Sequence, residues 1–233
     1  MSEENAKTIA VYEEYAEAYL AGNARRVAKN LAESEQKRAR LKEFIRESIA
    51  GLPTDTKYLE LGSGDGADVE IFRELGIEIT PSDAPESFLK IMRDKGLSPL
   101  RLNLLVNELP DGYGCVYAKR VFVHFTEDDT KKILQSIYQK LLPGGRFIFN
   151  VINREAHDGK AEEWVDFYGD YNIGTPRYYK YWYENEIRDL LVEDGFIIKT
   201  LFKDSSDAVW SRKEGESSRW IYIVAEKPKE EVR

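Results

Sequence analysis

A chain of 233 residues with 42% hydrophobic and 12% aromatic content is long enough for one large domain with a sizeable core. Its 42 acidic against 34 basic residues leave a net charge of −8, which argues against a broad nucleic-acid footprint, since that needs clustered Lys and Arg. The single cysteine, Cys115, excludes an intrachain disulfide and suits a reducing compartment. Met1-Ser2-Glu3-Glu4-Asn5 lacks the basic start and apolar core of a signal peptide, and no run approaches the roughly 18 apolar residues of a membrane span, so a soluble cytoplasmic protein is expected.

Residues 8 to 21 place Ile9, Tyr12, Tyr15, Ala16, Tyr19 and Leu20 at helical spacing, and residues 24 to 50 continue with Val27, Leu31, Leu41, Phe44, Ile45 and Ile49. Gly22-Asn23 is expected to break the first helix from the second, and Gly51-Leu52-Pro53 ends the region. From residue 57 short apolar runs alternate with amphipathic stretches. Strands are expected at 57–61, 77–80, 99–102, 115–118 and 146–152, with helices at 67–75, 85–95 and 127–142. Such alternation builds a parallel sheet with helices on both faces. Residues 153 to 183 read as irregular and aromatic, with Trp164, Phe167, Tyr168, Tyr171, Tyr178, Tyr179, Tyr181, Trp182 and Tyr183. A helix closed by Gly195 follows, then strands at 196–202 and 220–225 with no helix between them, which makes that pair antiparallel. The tail from Lys227 to Arg233 is charged and expected to fray.

The most informative stretch is Tyr58-Leu59-Glu60-Leu61-Gly62-Ser63-Gly64-Asp65-Gly66. An apolar strand runs into three glycines at alternate positions and then into a helix. The glycines allow a sharp turn and close approach of a ligand to the main chain, and the helix N-terminus favours a carboxylate or phosphate. Two patterns fit the residues: the dinucleotide fingerprint G-x-G-x-x-A, and E-x-G-x-G-x-G with Glu60 before the first glycine. Asp83, at the end of the second strand, can accept ribose hydroxyls in either case.

The remaining features separate the two. A long helical preface precedes the first strand, Pro143-Gly144-Gly145 leads into the fifth, and the final pair is antiparallel. Together with Leu59 to Gly66, Tyr113 to Phe125, Leu141 to Phe147 and Asp194-Gly195-Phe196, the chain resembles the class I S-adenosylmethionine-dependent methyltransferases, of the small-molecule type with an N-terminal helical cap. The resemblance implies a Rossmann-like, doubly wound α/β fold with a mostly parallel seven-stranded sheet and an antiparallel last strand. It implies one domain: a helical cap (1–53), a cofactor-binding core (54–152), an acceptor-side insertion (153–183), and a last helix and strand pair (184–227). The implied cofactor is S-adenosyl-L-methionine. Gly62, Ser63, Gly64 and Gly66 would approach its methionine end, with Glu60 organising the loop. Asp83 would hold the ribose, Ala84 would pack on the adenine, and Asn103 and Leu104 would meet the adenine edge. The backbone of Ala118 and Lys119 would face the methionine amine, and Tyr12, Tyr15 and Tyr19 would cover the cofactor. The sequence departs from the family pattern at Gly114, usually Asp, and at Lys119, commonly Asn or Ser.

His124 is the candidate general base, with a packed structural role as the alternative. The two histidines are too far apart in sequence to suggest a metal site, and Cys115 reads as a buried strand residue. The expectation is methyl transfer to oxygen or nitrogen of a small acceptor, which the aromatic segment leans towards an aromatic or apolar one. Nucleic acid is disfavoured by charge and no membrane partner is expected. The alternatives are an RNA or protein methyltransferase, a nicotinamide-dependent oxidoreductase, and a silent binding protein of the same fold.

Overall fold

The structure, a computed structural model, describes residues 1–29, 31–165, 175–204 and 219–229. Five parallel strands, β1 (Tyr58–Leu61), β2 (Ile79–Asp83), β3 (Leu100–Arg101), β4 (Cys115–Ala118) and β5 (Arg146–Asn153), form one sheet. Later in the chain come β6 (Glu162–Val165), β7 (Arg177–Trp182), β8 (Ile197–Asp204) and β9 (Trp220–Glu226). The main sheet runs β3-β2-β1-β4-β5-β9-β8, with β9 antiparallel to both neighbours. The seven expected strands are therefore present with the last one antiparallel.

Residues 153–183 differ from their irregular reading. They contribute β6 and β7, which pair antiparallel and bring the sheet to nine strands. The reason lies in strand lengths: β5 has 8 residues and β4 has 4. Beyond Phe149 the β4 side of β5 is bare, and β7 takes it over at Ile152 and Asn153. Phe167, Tyr168, Tyr171 and the tail beyond 229 lie outside the described residues.

The second strand also lies later than its sequence suggests and runs through Pro81. The short β3 pairs only with Ser82 and Asp83. At Pro81 one side of β2 therefore has no strand neighbour, and the missing N–H is tolerated there.

Two helices precede the sheet, α1 (Glu3–Lys29) and α2 (Leu31–Ile49), followed by α3 (Ala67–Glu74), α4 (Glu86–Asp94), α5 (Glu127–Lys140) and α6 (Glu184–Glu193). The expected break at Gly22-Asn23 is absent; α1 continues through it and is instead kinked at Tyr15 (φ −116°, ψ 17°). Successive strand residues face opposite layers. Leu59, Leu61, Val116, Ala118, Phe147 and Phe149 pack with Ile133, Leu134 and Ile137 of α5 and with Ile187 and Leu191 of α6. Cys115, Tyr117 and Ile148 face Val69 and Phe72 of α3 and Ile45 of α2. Each such side chain stabilises the fold by about 1.5–3 kcal/mol when fully buried. Of the N-terminal helices, α2 thus covers a sheet face. The first lies over the strand ends, where Ser87 Oγ of α4 donates to the Tyr12 carbonyl (3.2 Å) and the Tyr12 and Phe88 rings meet at 5.6 Å. Among the described residues no helix is long and apolar enough to cross a membrane.

Candidate active site

Strand β1 pairs with β2 on one side and β4 on the other, so the chain reverses its direction of travel across the sheet at this point. Ligands of open α/β sheets bind at the carboxyl ends of strands at such a switch. A cavity of about 260 Å³ lies there. Its wall includes Glu60 near the end of β1 with Gly62, Ser63 and Gly64 after it, Asp83 ending β2 with Ala84 after it, Asn103 and Leu104 after β3, and Lys119 and His124 after β4, with Tyr12 and Tyr19 of α1 as the roof. Ala118 and Gly66 are not on the wall. The first is fully buried in the core; the second caps α3 in a left-handed conformation and faces Leu97. Tyr15 sits at the kink and is also absent from it.

The glycine loop is stapled to β2. Ser63 N donates to Ser82 O (2.9 Å), Ser82 N donates to Ser63 Oγ (3.0 Å), and Ser82 Oγ donates to Glu60 O (2.6 Å). Gly64 N donates to Asp83 Oδ2 at 2.7 Å, and Ala84 N donates to Oδ1 at 2.7 Å. Gly62 has φ +64°, and a Cβ on it would lie 2.5 Å from Val121 Cγ2. Gly64 has φ +57°, and a Cβ on it would meet nothing within 4 Å. One glycine is thus needed for packing, and the other leaves open space on the cavity wall.

The floor is acidic. Burial pushes Asp83 up to about 6, against the pull of the two backbone N–H groups. Burial, and then the neighbouring Asp68, push Glu60 up to about 8, while the Ser63 hydroxyl bonded to it works the other way. Glu60 Oε2 is buried with no hydrogen-bond partner. Asp68, from the first turn of α3, accepts from Tyr117 Oη at 2.8 Å and from Lys119 Nζ at 2.5 Å. Sequence reasoning missed Asp68, because one acidic residue on a helix looks like any solvated one. It also assigned Lys119 by its backbone alone, whereas the side chain lines the cavity.

Under the roof, His124 Nδ1 lies 2.8 Å from Tyr178 O, and Nε2 lies 3.0 Å from Tyr12 Oη. A carbonyl only accepts, which assigns the proton to Nδ1 and the lone pair to Nε2. The Tyr12 hydroxyl donates to Nε2 and itself accepts from Arg177 Nη1 at 2.5 Å. Burial, and then the Arg177 charge, hold the imidazole down at about 3, so it is neutral across the physiological range. Arg177 is almost fully buried and lies over the rings of Tyr12, Tyr19 and Tyr179. It lies in the segment read as irregular, and no local pattern marks it. Among the described residues of that segment none reaches the cavity wall. Tyr178, Tyr181 and Trp182 are buried, and Trp164 stands 41% exposed.

Asn103 lines the cavity and also closes its own turn, accepting Leu105 N at Oδ1 (3.0 Å). Cys115 is fully buried, which pushes its thiol up to about 12, and His157 stacks on Tyr181 at 4.1 Å. Among the described residues no cluster of His, Cys, Asp or Glu could hold a metal ion.

A family profile described as a methyltransferase domain matches residues 12–200. Over 119 residues the chain is 29% identical to the ubiquinone biosynthesis O-methyltransferase of Idiomarina loihiensis, covering 48% of each protein; the chain spans about half the length of that curated relative. The crystal structure of the glycopeptide N-methyltransferase MtfA complexed with S-adenosyl-L-homocysteine superposes with a TM-score of 0.62 at 17% identity, covering 80% of this chain and 89% of that one. That of an S-adenosylmethionine-dependent methyltransferase from Clostridium acetobutylicum gives 0.62 at 14% identity, covering 80% and 90%. At these identities the likeness is one of fold. The family match extends over most of the chain: the chain belongs to the methyltransferase-domain family, and it has the fold of the S-adenosylmethionine-dependent methyltransferases it superposes on.

Proposed function

We propose that the chain transfers the methyl group of S-adenosyl-L-methionine to oxygen or nitrogen of a small acceptor. The observation that carries this reading is the acidic, glycine-walled cavity at the ends of β1 and β2. Asp83 and the Gly64 backbone are joined there, and Glu60 presents an unpartnered buried oxygen. These features fit the cofactor: carboxylates suit hydroxyl and ammonium groups, and the open space at Gly64 admits a close ligand. A pyrophosphate would be repelled by Asp68 and Asp83. The roof formed by α1 favours a small acceptor over a macromolecule.

When bound, the cofactor supplies an electrophilic methyl group on a sulfonium. The chain contributes binding and alignment, and alignment can remove about 7–11 kcal/mol of barrier. In this reading Asp83 accepts the ribose hydroxyls, Ala84 packs on the adenine, and Asn103 and Leu104 meet its edge. Gly62, Ser63 and Gly64 border the methionine end. Tyr12 and Tyr19 close the roof and exclude water. His124, bonded through both ring nitrogens, fits the role of holding the Tyr12 hydroxyl better than that of taking a proton from the acceptor.

Isothermal titration with S-adenosylhomocysteine and with NAD tests the cofactor. Binding of NAD without S-adenosylhomocysteine would sink the reading. Transfer from labelled cofactor to a panel of small phenols, alcohols and amines tests the acceptor class, with a protein and an RNA substrate as competing arms.

A further inference from the structure

We propose that the Lys119 side chain is the counter-ion for the carboxylate of the cofactor's amino-acid end, that Asp68 positions it, and that Glu60 faces the adjoining ammonium. The inference rests on the S-adenosylmethionine reading and adds a side-chain contact to what was a backbone assignment.

Lys119 follows β4 and lines the cavity together with Glu60, Ser63 and Asp68. Its Nζ lies 2.5 Å from Asp68 Oδ1, and the other oxygen of Asp68 accepts from Tyr117 Oη at 2.8 Å. Tyr117 is buried and packs edge-on against Phe72 in the core. Asp68 is therefore anchored from below and fixes where the ammonium stands. An ammonium has three donors. Asp68 is the one acceptor it meets among the described residues, and its side chain keeps 21% exposure. Donors are left for the cavity. Glu60 Oε2 is left as an unpartnered buried acceptor on the same wall. On a wall that Arg120 also lines, Lys119 thus carries spare donors beside Glu60, a buried acid whose free oxygen can accept from, and ionise beside, a bound ammonium. That is the complement of a zwitterionic α-amino acid, whereas ribose and adenine carry no charge to match it.

The test is isothermal titration of three ligands: S-adenosylhomocysteine, its decarboxylated analogue, and 5′-methylthioadenosine, which lacks the amino-acid end. Wild-type protein should bind the decarboxylated analogue at least about tenfold more weakly than S-adenosylhomocysteine, as expected when a charge-assisted hydrogen bond is lost. Lys119→Met should lose about tenfold or more for S-adenosylhomocysteine and stay within about twofold for 5′-methylthioadenosine, and Lys119→Arg should recover most of the loss. Equal wild-type affinity for S-adenosylhomocysteine and its decarboxylated analogue overturns the proposal without any variant. So does an equal loss, or no loss, for both ligands in Lys119→Met. Failure of the wild type to bind S-adenosylhomocysteine at all would instead remove the proposed function, and this inference with it.

Discussion

Gly64 and Asp83 are joined by a 2.7 Å hydrogen bond from the glycine N–H to Oδ2. This bond fastens the tip of the loop after β1 to the end of β2. The carboxylate holds the loop in shape and, in the proposed function, also holds the ribose.

Asp83→Ala should therefore weaken S-adenosylhomocysteine binding by more than about tenfold, through loss of hydrogen bonds to a charged group. The carboxyl takes up a proton near pH 6 in the free protein. Wild-type affinity should fall as pH drops through that value, because the protonated form is the poorer acceptor. Titration at pH 5, 6 and 7.5 checks both points. An unchanged dissociation constant in Asp83→Ala would show that the ribose assignment is wrong.

Glu60 opposes folding in the free protein. Its carboxyl holds a proton up to about pH 8 when folded, against an ordinary 4.5. Between those values the folded state binds more protons than the unfolded one, so rising pH costs stability across that window. Glu60→Gln removes the burden. Its melting temperature without ligand should exceed the wild-type value at pH 8 by at least about 2 °C, and the gap should close towards pH 4.5. Calorimetry at the two pH values decides; a variant less stable at pH 8 refutes the account.

His124 works with the opposite sign. It titrates near pH 3 when folded and at the ordinary 6.5 when unfolded. In between, the unfolded state binds more protons, so this group's contribution is present above 6.5 and is lost as pH falls. His124→Gln should flatten the acid side of the stability profile between pH 6.5 and 4, as read by chemical denaturation. The pH profile of kcat should show no limb near 6.5 that belongs to His124. A limb there that disappears in His124→Gln would restore it as the general base.

Gly62 and Gly64 should fail in different ways when replaced by alanine. Gly62→Ala combines left-handed backbone strain with the clash against Val121, and should cost at least about 2 kcal/mol of stability. A second change, Val121→Ala, should restore part of it. Gly64→Ala has no clash and should cost only about 1 kcal/mol. Its Cβ enters the ligand's space, so S-adenosylhomocysteine affinity should fall about tenfold or more. Denaturation paired with titration separates the two outcomes, and equal stability losses would contradict the distinction.

Local chemistry was enough to expose the frame. The runs at Tyr58–Leu61, Cys115–Ala118 and Arg146–Asn153 declared strands because apolar runs of that length must be covered on both faces. That Glu60, Gly62, Gly64 and Asp83 stand at the strand ends, on the cavity wall, was legible because a tight turn after a strand needs glycine at set distances along the chain. Those relations are short-range and survive in the sequence. The tertiary structure decided what depends on contacts across many residues. It bent α1 at Tyr15 instead of breaking it at Gly22, and paired β7 with the bare end of β5. It brought Arg177 under Tyr12, 165 positions away, and set Lys119 against Asp68, 51 positions away. An ion pair or a buried cation has no preferred sequence separation, so nothing in the order of residues could announce it.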